Sequence, residues 1–128
     1  MIEILDTNVL VRFLVGDVPK QKTQAEQWFA EGQKGKRDIV VNLLVVAETI
    51  FVLESFYKQS RTKIAQAMKI FLSQRWLQIF EREILLEALA FYEQKRHFVD
   101  SYLIAWSRHN HSGILTFDKK LQKLAHTG

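Results

Sequence analysis

The sequence predicts an α/β fold, a three-layer sandwich in which a short parallel sheet is flanked by helices on both faces. Two observations carry that expectation. Short apolar runs, Ile2 to Leu5, Ile39 to Val41 and Ile114 to Phe117, read as strands buried on both faces. Between them lie longer stretches with apolar residues at helical spacing, and strands that alternate with helices imply parallel pairing.

Each element has its local reason. After the strand Ile2 to Leu5, Asn8 to Val15 carries a helical pattern that Gly16-Asp17-Val18-Pro19 ends as a turn. Pro19 suits the first turn of a helix running to about Ala30, with Gly32 and Gly35 marking its exit. Ile39 to Val41 is the second strand, and Asn42 caps a helix from Leu43 to about Tyr57. Ser60 caps the next helix, which continues to about Leu72, and Leu77 to Phe80 reads as a third strand. Glu83 to about Lys95 and Val99 to about His109 are helical, Ile114 to Phe117 is a buried strand, and Lys119 to Leu124 closes the chain as a helix. There is no internal repeat, low-complexity tract or linker, and 128 residues with one Pro and five Gly fit a single domain, 1–128.

Composition narrows the class. Hydrophobic residues at 48% and charged residues at 25% are the balance of an ordinary globular protein. The absence of cysteine excludes disulfides and thiolate metal sites and fits an intracellular, cytoplasmic location. No apolar run approaches the roughly 18 residues that span a bilayer, so no membrane role is expected. The first residues enter a strand without the basic region of a secretory signal. A net charge of +4 is compatible with a polyanionic partner.

Four acids stand against apolar sequence. Asp6 ends the first apolar run, Glu48 interrupts Leu43 to Ala47, Asp100 opens Ser101 to Trp106, and Asp118 follows the last strand. In an open parallel sheet, sites form beyond the carboxyl ends of strands, where Asp6 and Asp118 both fall. Helix capping is the competing account of Asp6, Asp100 and Asp118. It does not serve Glu48, whose same-face neighbours Leu44, Val45, Phe51 and Val52 include no cation. There the competing account is a tertiary salt bridge to Arg12 or Arg37, whereas Glu54 has Lys58 four residues on as a surface pair. A buried carboxylate needs a counter-charge, and ligation by oxygen alone selects a hard cation, Mg2+ or Mn2+.

The stretch Ile4-Leu5-Asp6-Thr7-Asn8-Val9-Leu10 resembles the opening signature of PIN-domain ribonucleases, particularly VapC-type toxins of toxin–antitoxin modules. Val46-Ala47-Glu48, Phe98-Val99-Asp100-Ser101-Tyr102-Leu103-Ile104-Ala105 and Ile114-Leu115-Thr116-Phe117-Asp118 follow in the family's order, so that the resemblance covers almost the whole chain. It implies that Asp6, Glu48, Asp100 and Asp118 are the acidic metal-binding and catalytic cluster, supported by Thr7, Asn8 and Thr116. It further implies Mg2+- or Mn2+-dependent endonucleolytic cleavage of RNA, restrained by a cognate antitoxin.

Basic residues then become candidates for the phosphate backbone: Arg12 after the first acid, and Lys119 and Lys120 after the last, against the simpler reading of a solvated face. The helix from Leu43 is apolar nearly all round and needs cover on more than one side, from a second copy in a homodimer, from the antitoxin, or from neighbouring helices of the same chain. Trp28, Trp76 and Trp106 read as core residues. His97, His109 and His111 are assigned no catalysis. The alternative function is a non-catalytic RNA-binding or regulatory module of the same fold. A phosphatase is disfavoured because position 8 is Asn where a second Asp would be needed.

Overall fold

The computed structural model describes residues 1–125, so that the last three positions of the expected domain lie outside the described residues. The chain forms two compact units that meet in sequence at Phe80 and Glu81. The class is the α/β one expected, largely helical with a short parallel sheet.

In the unit 1–80, β1 (Ile2–Ile4) pairs in parallel with β2 (Asp38–Val40), with Ile2 opposite Asp38 and Ile4 opposite Val40. Parallel strands cannot be joined by a hairpin. The crossover is made by α1 (Thr7–Val15) and α2 (Pro19–Gln33). Gly16 ends α1 in the left-handed conformation, at φ 74°, and donates its N–H to the Arg12 carbonyl. Pro19 starts α2 as expected, but Gly32 lies inside that helix rather than past it. A Cβ at position 32 would stand 2.8 Å from Cζ3 of Trp76, so the glycine is there to admit the indole.

α3 (Leu43–Ser55) and α4 (Arg61–Leu72) complete this unit, and both begin on the expected caps. Asn42 accepts the Leu44 N–H at 2.8 Å, and Ser60 accepts the Lys63 N–H at 3.2 Å. α3 buries Val46, Thr49, Ile50 and Leu53, one stripe at helical spacing, while α4 buries Ile64, Ala65, Met68, Phe71 and Leu72. α1 packs on α2 and α3, and α3 on α4. Phe29 is the aromatic hub, 4.8 Å from Phe13, 5.6 Å from Phe71 and 6.0 Å from Trp76, centroid to centroid.

In the unit from residue 81, α5 (Arg82–Glu93) packs on α6 (Phe98–His109), and α6 contacts α7 (Lys119–Leu124). Ile84, Leu85, Ala88, Leu89 and Tyr92 of α5, together with Phe98, Ile104 and Ala105 of α6, are buried. The Tyr102 hydroxyl donates to both carboxylate oxygens of Glu81, at 2.7 and 2.9 Å. Arg108 lies 5.0 Å from the centre of the Phe91 ring and donates to the Leu124 carbonyl.

Several expectations are corrected. The strand at 77–80 reduces to one parallel bridge, Val40 with Gln78, because turns on either side leave only one residue in register. Segment 114–117 makes no β-ladder among the described residues, and Leu115 and Phe117 are fully exposed rather than buried. Its polar groups serve the helix entrance instead: Thr116 Oγ1 accepts the Asp118 N–H, and the Thr116 carbonyl accepts from Gln122. β1 is not buried on both faces, since Ile2 and Ile4 are exposed while Leu5 is buried. α3 stops at Ser55, and Lys58 turns the chain in the left-handed region. Glu54 therefore lacks the helical register to meet Lys58 and pairs with Arg61 instead, at 3.6 Å. Trp106 is exposed, and Trp28 and Trp76 are half-buried.

Candidate functional site

Asp6 leaves the sheet at the end of β1, where the Leu5 N–H is held by the Val40 carbonyl at 2.9 Å. It occupies the N-cap position of α1 with extended backbone, yet its side chain caps nothing. The carboxylate is exposed, Thr7 beside it is buried and Asn8 is exposed. Capping does not explain Asp6.

Glu48 occupies the second turn of α3, which packs on α1, the helix that Asp6 begins. It lies on a stripe with Leu44 and Phe51, but that stripe faces solvent, so the expected burial of its carboxylate is corrected. The two arginines considered as its partners are engaged elsewhere. Arg12 donates to Asp17 at 3.2 Å, to the Tyr57 hydroxyl at 2.8 Å and to Gln21 at 3.0 Å. Arg37 donates to both oxygens of Glu3, at 2.7 and 2.9 Å, and stands 3.5 Å from Glu31. The Tyr57 hydroxyl, which donates to Asp17 at 2.7 Å, and then the charge of Arg12 hold the Asp17 carboxyl below its usual range against its own desolvation. The same hydrogen bond, with burial, pushes the Tyr57 phenol up.

Asp100 lies in the first turn of α6, half-buried, where the positive end of the helix favours an ionised carboxylate. His97, not Asp100, holds the N-cap position. Asp118 is the true cap of the set: its Oδ1 accepts the Lys120 N–H at 2.9 Å and the Leu121 N–H at 3.2 Å. Thr116 fixes the backbone of Asp118 from two residues before. Lys119 and Lys120 are exposed at the start of α7, an end where the helix dipole disfavours cations, so helix stability does not account for them.

Each unit thus carries two of the acids, Asp6 and Glu48 in one, Asp100 and Asp118 in the other. Among the described residues none of the four has a salt bridge, and no group of three or more His, Asp or Glu is placed to hold a metal ion. Sequence reasoning missed a cavity of about 220 Å3 with Asp6 in its wall, shaped by Trp28, Phe29 and Arg37. A neighbouring hollow of about 200 Å3 is lined by Asn8, Arg12 and Trp28. A tryptophan and an arginine near a strand end were the available signal, but one reads as core and the other as a salt-bridge partner.

The family model for the PIN domain matches residues 4–127, a span that contains all four acids. The chain therefore belongs to the PIN-domain family. Among curated relatives, a protein named VapC ribonuclease, from Aquifex aeolicus (strain VF5), is 32% identical over 95 residues, 73% of this chain and 69% of the relative. No solved structure matches the chain.

Proposed function

We propose that the chain is a cation-dependent endoribonuclease, the toxin of a toxin–antitoxin pair, and that residues 1–128 act as one nuclease domain. The observation that carries this reading is Asp6, an exposed carboxylate at a strand end and a helix start that caps no helix and has no salt bridge among the described residues. Family membership across both units and the likeness to a VapC ribonuclease support it.

Asp6, Glu48, Asp100 and Asp118 are the residues that would hold the cation. The donor set fits a hard ion: it is oxygen only, the chain has no cysteine, and three of the four carboxylates are exposed. When bound, Mg2+ or Mn2+ would supply Lewis acidity toward water and phosphate. Thr116 holds Asp118 in place through its backbone, Thr7 and Asn8 begin the helix that follows Asp6, and Lys119, Lys120 and Arg12 are the candidates to meet RNA phosphates. A cognate antitoxin or a second copy would cover the exposed Leu44, Phe51 and Phe56.

The test is incubation with defined RNAs, with and without Mg2+ or Mn2+, followed by mapping of the cut ends. Cation-dependent internal cleavage is expected, with loss of at least about a hundredfold in Asp100→Asn. Full activity in a folded Asp100→Asn protein would overturn the site assignment, and RNA binding without product would favour the non-catalytic module.

A further inference from the structure

Two hollows flank Trp28 in the unit 1–80. The larger, about 220 Å3, sets the aromatic residues Trp28 and Phe29 and the apolar Leu5 beside Asp6 and the Glu3–Arg37 ion pair. The smaller, about 200 Å3, shares Val9 and Trp28 with the first and adds Asn8. Arg37 is only partly engaged: Nη1 binds both oxygens of Glu3 and Nε stands 3.5 Å from Glu31, while Nη2 makes no hydrogen bond among the described residues.

We propose that the larger hollow receives one unpaired base of a single-stranded RNA, stacked against Trp28 and read at its edge by Arg37, next to the phosphodiester presented to Asp6. The proposal rests on the ribonuclease reading above and names the part of the substrate that the site grips. Size is the first argument. The hollow is smaller than the roughly 300–1,000 Å3 of drug-sized sites, so it suits a flat ring system rather than a whole nucleotide. Chemistry is the second. A base has two apolar faces and one polar edge, which an aromatic and aliphatic lining with the Glu3–Arg37 pair and Asp6 matches, whereas an aliphatic peptide side chain would leave those charged groups unmatched. Splayed RNA bases are held in this manner, on aromatic rings and arginine planes. Place is the third: Asp6 is part of the wall, so a base seated there positions its own phosphate by the candidate acid.

The test uses the whole chain and an RNA that it cleaves, synthesised with a single abasic ribose at each position around the cut. One abasic position beside the cut is expected to lower kcat/KM about tenfold in the wild type. Trp28→Leu should lose about as much on the intact RNA and nothing more on the abasic one, while Trp28→Tyr, which keeps a ring, restores the sensitivity. Trp28→Leu should also weaken binding of a labelled single-stranded RNA in EDTA, read by anisotropy. Equal cleavage at every abasic position, or unchanged abasic sensitivity in Trp28→Leu, overturns the base pocket while leaving the ribonuclease reading intact. A wild type that cuts no RNA removes the ribonuclease reading itself. In that case equal RNA binding by wild type and Trp28→Leu overturns the base pocket as well.

Discussion

Asp118 gives one carboxylate oxygen to two backbone donors of the helix it begins, whereas Asp6, at the same position before α1, gives none. The two acids should therefore part under the same substitutions. Asp118→Ala loses a cap and about 1 kcal/mol, while Asp118→Asn keeps an accepting oxygen and most of the stability. Asp6→Asn should leave the denaturation midpoint unchanged, and both Asn variants should lose RNA cleavage. Chemical denaturation beside the cleavage assay reads both arms. Gly32 makes a second residue-scale prediction. Gly32→Ala gains about 1 kcal/mol of helix propensity. It also forces Trp76 aside, and overpacking of this kind costs typically about 1–3 kcal/mol. A net loss of about 1 kcal/mol, with a change in tryptophan emission, is expected.

At the scale of elements, the tie between Glu81 and Tyr102 gives the C-terminal unit an alkaline limit. Burial, and then the hydrogen bond to Glu81, push the Tyr102 phenol up to about 12. In the unfolded chain it ionises near pH 10. Between those values the folded state keeps a proton that the unfolded state has lost, so stability is whole below about pH 10 and falls as pH approaches 12. Tyr102→Phe should flatten that part of the pH–stability curve. Tyr57 is shifted the same way and keeps its own share of the slope. Helix starts were readable in the sequence because their chemistry is local: Asn42, Ser60 and Asp118 each bond to an N–H two or three residues on. Strands were not, because pairing is decided by distant partners. Segment 114–117 looks like β1 in composition, yet its polar groups turn into α7 instead of a ladder.

For the whole molecule, the acids were legible as positions but not as environments. Nothing in the local sequence shows that Arg12 is claimed by Tyr57, 45 residues away, or Arg37 by Glu3, 34 residues away. Nor does an apolar helix announce which stripe it turns to water, and Glu48 lies on that stripe. If the four acids hold one kind of cation, Mg2+ or Mn2+ should stabilise the intact chain by about 2.7 kcal/mol at a hundred times its Kd. EDTA should reverse the gain, and Asp6→Asn and Asp100→Asn should each reduce it, as a thermal-shift measurement would show.

The tryptophans fall on both sides of the junction at residue 80, Trp28 and Trp76 before it and Trp106 after it. Each unit therefore carries its own optical reporter. A chain with Trp106→Phe emits only from the first unit, and one with Trp28→Phe and Trp76→Phe only from the second. Coincident melting of the two signals is the outcome that a single cooperative nuclease domain requires. The placing of three indoles thus makes cooperativity along the chain something that can be watched in one cuvette.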